Sequence, residues 1–372
     1  MSSLRTLPVL LALLASAFGT QAQTAAPTGP QPEWSDLNRA LLYGHLIPRY
    51  QVLAQSNRNL SAGLDRFCAA PDEAGLAQVR GQFVAALDAW NGIAHIRFGP
   101  IETAQRYFRF QLWPDKRGTG QKQVRQLLAE ADPARLEPAA LARDSVAVQG
   151  LSALELLLYP AAEITPADFQ AEGGPGFRCR YAAAIGRNLT DMAQATLTDW
   201  TQGAAADATT LFKPEPGQER FADPKALSTE ILMTLNTGAQ VVHQLKLMPP
   251  LGLDPTTANP RQAESWRSRR SLANVCTNLR ALEHLYATAL APRLAAVWLP
   301  ETDQGLALTL AAALNACLSL PPETLDEVAD RPETRQALEH LRDLAGALQA
   351  RTGKRLAEEL DLTLGFNSLD GD

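Results

Sequence analysis

The chain has 372 residues, with 34 Lys and Arg against 40 Asp and Glu, a formal net charge of −6 and 46% hydrophobic residues. That mild acidity lacks the clustered basic patch of a nucleic-acid binder. The length is enough for two cores at ~100–200 residues per domain.

Residues 1–22 read MSSLRTLPVLLALLASAFGTQA: Arg5 precedes an apolar stretch from Leu7 to Phe18, and small residues run on to Ala22. This is the layout of a secretory signal peptide, too short to span a membrane comfortably. The first cysteine after it is Cys68, so lipid attachment at a processed N-terminus is not expected. The expectation is a soluble, exported protein of the periplasm.

A first helix begins near Ser35 and meets Pro48 in LLYGHLIPRYQVL. Proline removes one hydrogen bond there, predicting either a bend or two short helices. His45 lies in the same stretch; it could approach a junctional site, and its commoner role is a ring satisfied by a backbone carbonyl. After the start signal Pro71-Asp72, Leu76, Val79, Phe83, Leu87, Trp90 and Ile93 recur in steps of three and four, the mark of an amphipathic helix. His95 and Arg97 follow its end, where cations complement the helix dipole. Arg97 is equally suited to pair with a carboxylate, its own or a ligand's. LWPDKRG at 112–118 then puts Trp113 beside Asp115 in a turn-like segment, which could line a pocket or form a packing corner.

Within SVAVQGLSALELLLY at 145–159, one carboxylate interrupts an apolar run. A helix places Glu155 on the stripe of Val148, Leu151, Leu154 and Leu158. An ionised carboxylate buried without partners costs several kcal/mol. Glu155 is therefore expected to point toward the core or a core-lined cleft, at least partly buried and bound by a cation or hydroxyl, with Arg97, Arg270 and Ser152 the leading partners.

Further helical stripes run through Tyr181, Ile185, Leu189, Met192 and Trp200; through Leu227, Ile231, Leu235, Val242 and Leu245; and through Leu338, Leu341, Leu344 and Leu348. No stretch alternates with period two, so the predicted class is all-α. Between the first two of these stripes, TQGAAADATTLFKPEPGQERFADPK has no apolar periodicity. We take 31–203 as an N-terminal helical bundle, 204–222 as a linker and 223–372 as a C-terminal bundle. The endings ALELLLY and ALEHLY, at Tyr159 and Tyr286, echo one another and raise a duplication, in which Glu283 would match Glu155. In SRRSLAN, Arg270 and Asn274 lie four apart and would face the first bundle together. His243, His284 and His340 are read as structural.

Four cysteines in an exported protein permit three pairings. Cys68 to Cys179 and Cys276 to Cys317 are expected, since each pair then joins two helical segments of one proposed domain. No Gly-rich phosphate loop, nucleophile elbow or His-Glu-x-x-His motif occurs after the signal segment, which leaves enzyme status open.

HLIPRYQVLAQ, AWNGIAHIRFGP, LWPDKRG, SVAVQGLSALELLLY, SLANVCTNLRALEHLY and the terminal LGFNSLDGD, in this order, resemble the imelysin-like family of exported bacterial proteins, some of them iron-regulated or part of iron-uptake systems. The resemblance implies two helical bundles with a site near their junction and a Gly-x-His-x-x-Glu signature. Here that signature reads Gly150, Ser152, Glu155. His and Glu three apart on a helix could share a metal ion; serine is a poor ligand for one. The resemblance thus implies a non-catalytic binding protein associated with iron or other metal acquisition. Its ligand site would draw on Glu155, Ser152, Arg97, Trp113, Asp115, Arg270 and Asn274, with iron or another divalent metal held weakly. Two alternatives stay open: a metallopeptidase of the imelysin type, weakened by the missing histidine, and a helical interaction protein docking a membrane-associated uptake component.

Overall fold

The apolar steps of three and four become helices throughout a computed structural model that describes residues 34–171, 173–202, 224–296, 299–328, 331–360 and 362. The expected signal segment, the linker 204–222 and the terminal LGFNSLDGD lie outside those residues. In chain order the helices are α1 (Trp34–Leu41), α2 (Ile47–Ala69), α3 (Glu73–Asn91), α4 (Arg106–Phe110), α5 (Thr119–Glu130), α6 (Pro138–Leu141), α7 (Gly150–Leu158) and α8 (Phe177–Gln202). There follow α9 (Pro224–Gln240), α10 (Met248–Leu251), α11 (Ser271–Leu285), α12 (Ala291–Ala296), α13 (Pro300–Leu318), α14 (Pro332–Ala350) and α15 (Leu356–Glu359). The fold is all-α; among the described residues, strand structure is confined to an antiparallel pair of two-residue strands, Gln170–Ala171 and Gly174–Pro175.

Packing sorts the long helices into two sets. In the first half α2 lies between α8 and α3, with α7 against both α8 and α3. In the second, α11, α13, α14 and α9 pack in succession. The two sets meet where α1 crosses onto α9 and where α3 touches α11. The buried apolar side chains, from Leu37 to Leu362, form one continuous cluster through both sets.

At Pro48 the chain does not separate into two short helices. A π-turn, Leu42–Leu46, joins α1 to α2, and the amide of Ile47 reaches back five residues to the carbonyl of Leu42. Proline cannot donate to residue i−4, and the widened turn carries the chain past that gap. The same device recurs at Val241–Leu247, just before Pro249 and Pro250, where the Met248 amide bonds the carbonyl of His243.

Both expected disulfides are present. Cys68, late in α2, joins Cys179, early in α8, and Cys276 of α11 joins Cys317 of α13, with Cα separations of 5.5 and 5.6 Å. Each ties two packed helices and restricts the unfolded chain, by ~2–4 kcal/mol in a typical case.

Candidate functional site

The signature helix α7 begins on a glycine for a steric reason. Gly150 has φ +80°, and a Cβ there would lie 2.2 Å from the carbonyl oxygen of Arg109 and 2.6 Å from that of Phe110. Only a residue without a side chain lets α7 start so close to the end of α4. Its entry is then fixed, and Glu155 is carried to the junction, where it is buried as its place on the stripe predicts.

The partner of Glu155 is none of the three expected. Its Oε1 accepts from the Ser268 amide at 2.9 Å and from the Ser268 hydroxyl at 2.6 Å. Burial pushes its carboxyl above the usual range, while the two Ser268 bonds and the charge of Arg267 act the other way. Ser152 is turned aside, donating its hydroxyl to the carbonyl of Leu112 at 2.9 Å. Arg270 is engaged elsewhere: its Nη2 lies 2.7 and 2.9 Å from the two carboxylate oxygens of Asp88 on α3, an ion pair across the two helical sets. The Arg97 guanidinium stacks over the ring of Tyr107, 4.7 Å from its centroid.

Asp115 does not face the junction with its carboxylate free. Its oxygens accept from the amides of Thr119 and Gly120, both at 2.8 Å, and so satisfy the exposed first turn of α5. The Asn274 side chain donates to Glu264 at 2.7 Å and to the Ser265 hydroxyl at 3.2 Å, placing it in the junction network.

That network surrounds a cavity between the two sets. From the first half come His95, Arg97, Tyr107 and Trp113; from the second, Lys246, Glu264 and Asn278. The space open to the centres of water-sized molecules is ≈ 40 Å³, enough for a few waters or a small solute. Lys246 and Glu264 form an ion pair of 2.6 Å with each side chain 4% exposed. The Lys246 ammonium also donates to Asn91 at 2.7 Å and stands 5.7 Å above the Trp113 ring. Burial holds its pKa below the ordinary lysine value against the pull of Glu264. Asn278 closes the back of the network by donating to the carbonyl of Asn91 at 2.7 Å.

Sequence reasoning missed Lys246, Glu264 and Ser268. For Lys246 a signal existed: it lies four residues after Val242 and so belongs on the buried stripe, in the place given to Leu245. Glu264 and Ser268 lie in an aperiodic stretch before α11, with no pattern to mark them.

The histidines also depart from expectation. His45 is fully buried and is not satisfied by a backbone carbonyl: its Nε2 is 2.8 Å from His95 Nε2 and its Nδ1 is 3.0 Å from His284 Nδ1. His284, read as structural and isolated, thereby joins two residues of the first half. His95 is not a cation at a helix end, since burial drives its pKa down to about 3.

Among the described residues no group of three or more His, Cys, Asp or Glu is arranged to hold a metal ion. At the signature itself, Ser152 spends its hydroxyl on a carbonyl and Glu155 Oε1 already takes two donors. A single carboxylate with no nitrogen donor beside it does not fit a divalent transition metal.

A family model, Imelysin (Peptidase_M75), matches residues 46–351. Iron-regulated protein A of Synechococcus elongatus is 26% identical over 244 residues, covering 65% of this chain and 61% of that protein, so the match spans less than two thirds of that relative. Among solved structures, an imelysin-like protein from Psychrobacter arcticum 273-4 superposes with a TM-score of 0.71 over 90% of this chain and 97% of its own, at 19% identity, a likeness of fold.

Proposed function

The chain belongs to the imelysin family, and from that premise we propose that it is an exported, periplasmic, non-catalytic binding protein of an iron-related system, taking a small oxyanion into the cavity between its two helical bundles. The observation that carries this reading is the convergence of Arg97, Lys246 and His95 on one enclosed space, with a single carboxylate, Glu264, opposing them. Cationic and neutral N–H-bearing residues lining a partly desolvated cavity suit a carboxylate or bicarbonate better than a metal cation.

The iron association rests on the relative called Iron-regulated protein A. Export is supported by the 1–22 pattern and by two disulfides, which persist in an oxidising compartment. No described helix is long and apolar enough to cross a membrane. Peptidase chemistry of the metal-assisted kind needs a ligand set that activates water, and the Gly150, Ser152, Glu155 signature offers one acid already bonded to Ser268.

Calorimetry on chelator-stripped protein lacking residues 1–22 tests the reading, with acetate and bicarbonate as anion probes and Zn(II) and Fe(II) as metal probes. Stoichiometric anion binding that is lost in Arg97→Gln supports it. Tight metal binding abolished by Glu155→Ala, or no anion binding at all, overturns it.

A further inference from the structure

Three of the five histidines, drawn from both halves of the molecule, form one continuous row. His284 on α11 has an exposed ring at one end, His45 in the π-turn before α2 is fully buried in the middle, and His95 lines the junction cavity at the other end. The nitrogen separations of 3.0 and 2.8 Å are those of hydrogen bonds. The remaining ring nitrogen of His95, Nδ1, is buried and bonds no atom of the described residues. An unpaired buried polar atom is costly, and an acceptor that reached it from the cavity would remove that cost.

We propose that His284, His45 and His95 form a proton wire from solvent to the junction cavity, ending in a His95 Nδ1–H group that donates to an anionic oxygen of the bound ligand.

Arg49 sets the direction of the row. A guanidinium can only donate, and Arg49 Nε lies 3.3 Å from His45 Nδ1. That nitrogen is therefore an acceptor, and neutral His45 carries its proton on Nε2, pointing at His95. His95 Nε2 must accept it, which leaves the His95 proton on Nδ1, on a residue that lines the cavity. At the other end His284 Nδ1 must donate to His45 Nδ1, leaving His284 Nε2 to water. Every N–H in the row thus points from solvent towards the cavity.

The row must be neutral to be arranged this way, and its surroundings keep it so. Burial lowers the pKa of all three rings, with Arg49 adding to the effect on each; Glu283 acts in the opposite sense on His284. Around the cavity end stand Arg97, Tyr107 and the Lys246–Glu264 pair.

A transfer balances as follows. The ligand oxygen takes the Nδ1 proton of His95, and His95 Nε2 takes the proton of His45 Nε2. His45 Nδ1 then takes the proton of His284 Nδ1, and hydronium supplies one to His284 Nε2, so that one proton passes from solvent to ligand with no change in oxidation state. Afterwards His45 Nδ1–H faces the Arg49 Nε–H, donor against donor, so the shifted alignment is the less stable of the two. Because His284 comes from the second half and the other two from the first, the wire is complete only when the halves are docked. The identity of the ligand end rests on the binding reading above; the wire itself does not.

The test uses protein lacking residues 1–22, labelled with 15N-histidine, in which only five residues give ring signals. Two-bond 1H–15N spectra at pH 7 should show His45 with its proton on Nε2 and His95 with its proton on Nδ1. Exchange of that His95 proton with water should slow by at least about tenfold in His284→Gln, whose ring is exposed and whose loss spares the core, as relay by general acid–base groups predicts. His45→Phe should do the same, and His340→Gln should change nothing. A His95 proton on Nε2, or exchange unchanged in both wire variants, overturns the proposal. Calorimetry separates the two readings: failure of acetate and bicarbonate to bind sinks the ligand site and leaves the wire, whereas bound anion with the reversed tautomers sinks the wire alone.

Discussion

Glu155 illustrates how a buried acid is held by donors that carry no charge. The Ser268 amide and hydroxyl satisfy one oxygen, yet burial outweighs them and the carboxyl sits above its ordinary pKa of 4.5. A raised carboxyl favours the folded state when protonated: that contribution is present below the unfolded pKa and lost as pH rises through the folded one. Glu155→Gln keeps an acceptor for Ser268 and removes the charge, so the variant should be at least as stable as wild type at pH 7, with the gap closing below about pH 4.5. Glu155→Ala leaves the Ser268 amide unpaired, while the Ser268 hydroxyl keeps the Ser265 carbonyl, and should cost ~1–3 kcal/mol at pH 7. Urea unfolding at the two pH values reads both. His95 has the opposite sign of pH dependence. Its folded pKa of about 3 lies below the unfolded 6.5, so the unfolded chain takes up a proton first as the pH falls. Stability present above 6.5 is lost on descending towards 3, at about 1.4 kcal/mol per pH unit for a single group. Unfolding free energies of His95→Gln and wild type should therefore converge as pH drops from 7 to 4; parallel curves would contradict the buried neutral ring.

At the scale of elements, the helices were legible because burial follows a period of 3.6 and the sequence shows it plainly from Leu76 to Ile93. Glu155 was placed correctly by the same stripe. Its partner was not, because Ser268 lies in an aperiodic segment whose path depends on α3, α7 and α11 together. The π-turns bear on two other misses. Each inserts an extra residue per turn before a proline: the first carries His45, and in the second the four-residue step from Val242 marks Lys246 as buried without showing what it meets. The histidine row spans 50 and 239 residues of chain, a proximity no local pattern contains. The signature helix offers a direct test of what the serine has removed. Ser152 and Glu155 share a face three residues apart, so Ser152→His adds the missing nitrogen donor. Zn(II) binding, weak in wild type, should strengthen by at least about tenfold, on the order of 1.4 kcal/mol, and be lost again in the double variant with Glu155→Ala. Equal Zn(II) affinity in wild type and Ser152→His would show that the serine is not what limits metal binding.

On the scale of the whole molecule, two helical sets are each stapled by one disulfide and joined through a polar seam. Asp88–Arg270, Asn91 with Lys246 and Asn278, and Glu155–Ser268 all cross it. Such a seam demands complementary partners from both sides, which makes it a place where a ligand can complete the hydrogen bonding. The most direct measurement is an NMR contact experiment with 13C-methyl acetate and protein lacking residues 1–22. The account predicts saturable binding, with magnetisation transfer from the acetate methyl to the indole protons of Trp90 and Trp113, the aromatic walls of the cavity, and loss of both in Arg97→Gln. Saturable binding with contacts elsewhere, or contacts that persist in Arg97→Gln, would contradict it.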